Sequence, residues 1–129
     1  DILLPCAMEN QITADNAAKI QARLIVEGAN GPTTVEADQI LKEKGVIIAP
    51  DILANAGGVV VSYFEWIQNE QHLIWDEPEI NGLLEKIMLR SLAEVRDLCE
   101  QHHTTLRVGA NMSALKRLSA AKKLRGIFP

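Results

Sequence analysis

The sequence has few aromatic side chains (4%), only two cysteines and no excess of positive charge. Cys6 and Cys99 stand far apart and in no paired spacing, which excludes a disulfide framework and fits a reducing compartment; both are expected to be free, buried thiols. Thirteen basic against seventeen acidic residues give a formal charge of -4, which argues against a general nucleic-acid binder. The one dense cationic stretch, "LKRLSAAKKLR", lies on a helical pattern and reads as a solvated face with cations near a helix C-terminus. No apolar run approaches the ~18 residues of a membrane span, and nothing reads as a signal peptide, so cytoplasm is the expected location. Repeats, low-complexity segments and linkers are also lacking.

What is there suffices for one domain. The chain has 129 residues, 47% of them hydrophobic, enough to bury a core without metal or disulfide staples. It opens without an initiator Met, inside the apolar run "DILLPCA", and so reads as a piece of something longer. Three continuous apolar runs are expected strands: Asp1 to Pro5, Ala22 to Gly28 and Val46 to Asp51. Between them lie a short helix, "ITADNAAKIQA", with Thr13 as N-cap, and "TTVEADQILKEKG", where Thr33 and Glu36 have capping-box spacing and Gly45 ends the helix. Strands apolar throughout, alternating with helices, imply a doubly wound α/β fold with a parallel sheet covered on both faces. The tail is helical. "PEINGLLEKIMLRSLAEVRDLCEQHH" carries Ile80, Leu84, Ile87, Val95, Leu98 and Cys99 near helical spacing, with Gly82 either costing about 1 kcal/mol or marking a late start. "NMSALKRLSAAKKLRG" is a last helix with Leu115, Leu118 and Ala121 inward, stopped by Gly126.

Ligands of open parallel sheets bind beyond the carboxyl ends of the strands. Three segments stand at those ends, "PCAMENQ", "EGANGPTT" and "PDILANAGG", each combining small residues with an amide side chain. A carboxamide carries donors and an acceptor and can pair with another carboxamide, such as that of nicotinamide. Singly each signal is weak: Asn-Gly-Pro makes a turn unaided, and a glycine pair also serves helix entry or close packing. Together, at one edge, they favour a ligand site. The run "VVVSYF" after the glycines stays ambiguous. Propensity makes it a strand, with Ser62 pointing away from Val59 and Asn55. As a helix it sets Asn55, Val59 and Ser62 at i, i+4, i+7 on one face.

The motifs "EGANGPTTVEAD" and "PDILANAGGVVVSYFEWIQN", with "LRGIFP" at the end, resemble the glutamate dehydrogenases, within the wider glutamate/leucine/phenylalanine/valine dehydrogenase family. The resemblance covers essentially the whole chain. It implies that the valine run is helical and that residues 1–129 are the C-terminal portion of a dinucleotide-binding domain, a partial Rossmann-like doubly wound sheet of about three strands followed by helices. The implied activity is oxidative deamination of L-glutamate to 2-oxoglutarate and ammonia with NAD or NADP. Carried over by motif, Ala7 and Gln11 line the dinucleotide site, and Asn30 and Asn55 contact the nicotinamide ribose and carboxamide region. Val59 packs near ring and substrate, and Ser62 hydrogen-bonds the substrate side-chain carboxylate. Relatives acting on leucine or phenylalanine place an apolar residue at the position of Ser62. A hydroxyl buried against hydrocarbon would cost about 1–3 kcal/mol, whereas with a carboxylate it makes a charge-assisted bond.

The resemblance also implies a homo-oligomer, a hexamer in the family. The family's glycine-rich phosphate turn, its ribose-recognising acidic residue and its catalytic lysine and aspartate have no counterpart in these residues. The piece is therefore expected to be inactive alone, with no catalytic residue of its own. The run "RVGANMSALKR" departs from the family's Ala-Ala-Tyr-like pattern, and the antenna insertion of animal glutamate dehydrogenases is absent. Two alternatives stand beside this reading: a piece of a related amino-acid dehydrogenase, and a non-catalytic remnant acting as an assembly module. Cys99, His102 and His103 lack a second ligand pair in zinc-site spacing, so no metal is expected. "WDEPE", with His72, reads as a surface loop entering the long helix, and Tyr63 and Trp66 as packing or interface residues.

Overall fold

The computed structural model describes residues 1–126. Three short strands, β1 (Ile2–Leu3), β2 (Leu24–Val26) and β3 (Ile47–Ala49), form a parallel sheet in the order β1-β2-β3. Leu24 pairs with Ile2 on one side and Ile47 on the other, so the register runs straight across. Helices α1 (Ala14–Ala17) and α2 (Val35–Glu43) connect the strands; α3 (Asp51–Ala54), α4 (Gly57–Gln71), α5 (Glu77–His102) and α6 (Leu106–Arg125) follow. The α/β class, the parallel strands and the helical tail are those expected. The strands are shorter than the apolar runs; beyond β1 and β3, Pro5 and Pro50 have no N–H to continue a ladder.

Burial is concentrated on the middle strand. Ile25 of β2 is wholly buried among Ala17 of α1 and Ala37 and Leu41 of α2, with Ile12 beside them. A second cluster joins Leu53 of α3, Val95 of α5 and Ala110 of α6. The outer strands are open: Ile2 is 61% and Ile47 58% exposed, so the expected cover over every strand is not found among the described residues.

The helix ends show which side chains satisfy the free backbone groups. Thr13 caps α1, its N–H donating to Asn16 Oδ1 at 2.9 Å. The cap of α2 is Thr34, not Thr33: Ala37 N donates to Thr34 Oγ1 at 3.3 Å. The expected Thr33–Glu36 box is therefore one residue out of register. Thr33 instead pairs its backbone with Ile12 in a parallel bridge. Gly45 (φ 74°) follows α2, and Val46 N closes back on Leu41 O at 3.0 Å, the six-residue ring of a Schellman turn. Asp76 and Glu79 form a reciprocal capping box, so α5 starts at Glu77 and Gly82 lies inside it. The loop of 72–76 is short, and Trp75 packs edge-on against buried Phe64 at 5.8 Å. His103, considered above as a ligand, is the left-handed cap of α5 (φ 50°), a conformation costing about 1–2 kcal/mol.

The last helix differs most from expectation. Thr105 caps it, so it begins five residues before Asn111, and Gly109 lies inside it rather than ahead of it. Gly109 is the contact with α5: a Cβ there would stand 2.5 Å from Cys99 Sγ and 3.1 Å from Val95 O. Such a close approach selects small residues, so Gly109, Ala110 and Ser113 face inward. Leu115 (65% exposed), Leu118 (67%) and Ala121 face outward, contrary to the expected inner side. The two thiols also differ from expectation. Cys6 lies past β1 and is exposed, whereas Cys99 is half-buried and donates its S–H to Thr105 O at 3.2 Å.

Candidate functional site

All three strands deliver their following loops to one edge. The Pro5 carbonyl accepts from Gly28 N at 3.1 Å and Ala29 N at 2.8 Å, which ties the loop after β1 to the loop after β2. A Cβ at 28 would approach Cys6 Sγ to 2.6 Å, so any larger residue there would have to turn the exposed Cys6 side chain aside. Gly31 turns the second loop with φ 54°, and its carbonyl accepts from Asn10 N at 2.9 Å.

Within this edge two of the expected residues meet. Asn55 Nδ2 donates to Asn30 Oδ1 at 2.7 Å and more weakly to Gly28 O at 3.4 Å. Asn30 Nδ2 and Asn55 Oδ1 make no hydrogen bond among the described residues, so the pair still offers one donor group and one acceptor. That is the complement of a further carboxamide. Asn55 is the C-cap of α3 (φ −101°, ψ 6°), outside α4, so the one-helix line through Asn55, Val59 and Ser62 is broken there. The valine run is nonetheless helical. Val59, 76% exposed, and Ser62, also exposed, sit three residues apart on α4. A Cβ added at Gly58 meets nothing within 4 Å, so the space over the first turn of α4 is open. Beyond Ser62, Tyr63 and Trp66 stack on each other at 5.9 Å, both exposed.

Ala7 and Gln11 lie on the exposed segment after β1. Gln11 is held locally: its Nε2 donates to Glu9 O at 3.2 Å, and its carbonyl accepts from Asn16 Nδ2 at 2.8 Å. No hydrogen bond among the described residues joins Ala7 or Gln11 to the asparagine pair.

Three further residues at this edge escaped the sequence reading. Glu27 directly follows β2 with its side chain wholly buried, receiving Arg107 Nη2 at 2.7 Å on one oxygen and Arg107 Nη1 at 3.0 Å on the other. Arg107, in the first turn of α6, also donates from Nε to Asp38 Oδ1 at 2.8 Å. Burial would lower the Arg107 pKa, but its bonds to Glu27 and Asp38 outweigh burial and raise it above the ordinary arginine value. Asp51 completes the set: its N–H donates to Glu27 Oε2 at 2.9 Å and its Oδ2 accepts from Gly31 N at 2.8 Å. One signal was present. A charged residue directly after the apolar "LIV" demands a partner once buried, but nothing marks that partner as Arg107, eighty positions on.

The model of the Glutamate/Leucine/Phenylalanine/Valine dehydrogenase family matches residues 1–126. The chain is 49% identical over its full length to a glutamate dehydrogenase of Thermotoga maritima, covering 31% of that protein. It is 48% identical over 126 residues to a catabolic NAD-specific glutamate dehydrogenase of Bacillus subtilis, covering 30% of it. The chain thus spans about three tenths of the length of these relatives. Among solved structures, the glutamate dehydrogenase of Peptoniphilus asaccharolyticus superimposes with a TM-score of 0.91 at 43% identity, over 97% of this chain and 32% of that one. The hetero-hexameric glutamate dehydrogenase of Thermus thermophilus, in its leucine-bound form, gives 0.95 at 35%, over 99% of this chain and 31% of that one. With a parallel sheet whose loops converge on an asparagine pair, and with this match over nearly every residue, the chain belongs to the glutamate/leucine/phenylalanine/valine dehydrogenase family.

Proposed function

We propose that this chain is the C-terminal portion of the dinucleotide-binding domain of an NAD- or NADP-dependent glutamate dehydrogenase, which deaminates L-glutamate oxidatively to 2-oxoglutarate and ammonia. The observation that carries the reading is the Asn55–Asn30 bond at the carboxyl edge of the sheet, beside a helix that exposes Ser62.

The residues present fit a nicotinamide dinucleotide at its nicotinamide end. The unused donor of Asn30 and acceptor of Asn55 match a carboxamide, and the open space over Gly58 admits a flat ring. When bound, the nicotinamide supplies the hydride acceptor. The chain's own residues bind and orient. Ala7 and Gln11 border the dinucleotide on the β1 side, Val59 supplies an apolar wall near ring and substrate, and Ser62 Oγ–H donates to the side-chain carboxylate of glutamate. The covered site excludes water only when the rest of the enzyme closes over it, and the activating lysine and the acid/base aspartate come from outside this chain. Assembly into a homo-oligomer and a cytoplasmic location belong to the same reading. Among the described residues, no helix is long and apolar enough to cross a membrane.

The test is an assay of the full-length protein for NAD(P)+ reduction with L-glutamate, L-leucine and L-phenylalanine. Turnover confined to glutamate supports the reading. A preference for an apolar amino acid overturns it.

A further inference from the structure

Building on that reading, we propose that Arg107 and Glu27, acting through Asp51, are positioning residues that set the spacing and orientation of the Asn30–Asn55 pair. Asp51 is the hub. Its Oδ2 accepts from Gly31 N at 2.8 Å, which fixes the residue next to Asn30. Its carbonyl accepts from Asn55 N at 3.0 Å, which fixes the backbone of Asn55 itself. Asp51 therefore holds Asn55 directly and Asn30 through the next residue, Gly31.

Asp51 in turn is held from behind. Its N–H donates at 2.9 Å to Glu27 Oε2, the same oxygen that accepts from Arg107 Nη1 at 3.0 Å. Arg107 Nη1 also lies 3.9 Å from Asp51 Oδ1, and that oxygen accepts from Ile52 N at 2.7 Å. The guanidinium is planar and bidentate, so it fixes the plane of the Glu27 carboxylate as well as its position. A carboxylate free to rotate would carry Asp51 N with it.

Stability alone is a poor reason for this arrangement. Glu27 is 0% and Arg107 26% exposed, and an apolar pair of similar volume commonly replaces such a buried ion pair at no loss of stability. What an apolar pair cannot supply is direction. The carboxylates around Arg107 come from β2's end, α2 and the start of α3, three elements whose loops make the candidate site. Removing the fork leaves the strands paired and lets the asparagines drift by a fraction of an ångström. A misplacement of about 1 Å in a positioning shell can cost about a hundredfold in rate.

The experiment uses the full-length protein with Arg107→Lys, which keeps the charge and loses the fork. NADH and ADP are titrated in parallel; ADP lacks both the nicotinamide and its ribose and so ignores the asparagine pair. Asn55→Ala is the control for the reading beneath. The expected result for both variants is NADH binding weakened about tenfold with ADP within about twofold, and kcat reduced more than glutamate KM is raised. If Asn55→Ala separates the two ligands and Arg107→Lys does not, the positioning role is wrong while the nicotinamide contact stands. If Asn55→Ala fails to separate them, the contact itself is wrong and the positioning role falls with it. Should Arg107→Lys not fold, Asp51→Ala keeps the Asp51 N–H bond to Glu27 and the Arg107–Glu27 pair but removes the Oδ2 bond to Gly31 N, which frees the Asn30 side of the pair; equal loss of both ligands there overturns the proposal.

Discussion

Asn55 and Asn30, 25 residues apart, share a 2.7 Å side-chain hydrogen bond that joins the turn between α3 and α4 to the loop following β2. The bond lies at the surface, so its own contribution to stability is about 0.5–1.5 kcal/mol. In the proposed function its larger role is to leave a matched donor and acceptor for a third amide. Asn55→Ala is expected to lower the melting temperature only slightly while raising the dinucleotide KM about tenfold. Calorimetry and steady-state kinetics on the same preparation check this. A large loss of stability with unchanged KM would assign Asn55 a structural role instead.

Gly109 and Cys99 mark the closest approach of α5 and α6. Gly109→Ala introduces a methyl 2.5 Å from Cys99 Sγ and 3.1 Å from Val95 O, and is expected to cost about 1–3 kcal/mol of stability. Cys99→Ala removes the sulfur clash but not the carbonyl one. The double variant should therefore recover part of the loss, measured as thermal unfolding midpoints. Full recovery, or none, would mean that the helices shift rather than strain.

Further along the same helix pair, Glu94 accepts from Ser113 Oγ at 2.7 Å and bonds Arg117. The Ser113 bond first, then that of Arg117, hold its carboxyl below the ordinary value of 4.5. A carboxyl depressed by folding stabilises fully above its unfolded pKa and loses that contribution as pH falls from about 4.5 through the folded value. The side chain is 35% exposed, so solvent screening limits the effect to about 1 kcal/mol or less. Glu94→Gln should be less stable than the parent at pH 7, with the gap narrowing as pH falls below about 4.5. A gap independent of pH would show that shape, not charge, holds the contact.

Much of the fold could be read from particular runs. The apolar run "LIV" became β2 with Ile25 wholly buried, and the i, i+3, i+4 spacing of Ile80, Leu84, Ile87 and Val95 placed the inner face of α5. Periodicity failed on α6, where Leu115 and Leu118 are outward because a glycine-mediated crossing leaves room only for small residues. The capping box slipped by one residue because Thr33 and Thr34 are both competent caps and backbone pairing with Ile12 claims the first. The asparagines of the site were legible as amide side chains at strand ends. The Arg107–Glu27–Asp51 support was not, since its members lie 80 and 24 residues apart and only packing brings them together.

The assignment to glutamate rests on Ser62, exposed on α4 beside Val59. The most direct measurement is kcat/KM for L-glutamate and for L-norvaline, whose side chain is apolar, in the full-length protein and its Ser62→Val variant. A charge-assisted hydrogen bond to the carboxylate contributes about 1.5–3 kcal/mol, so the glutamate-to-norvaline ratio should fall about ten- to a hundredfold. The fall should come almost entirely from glutamate. A ratio unchanged by the substitution would contradict the account, and place the recognition of the side-chain carboxylate elsewhere in the enzyme.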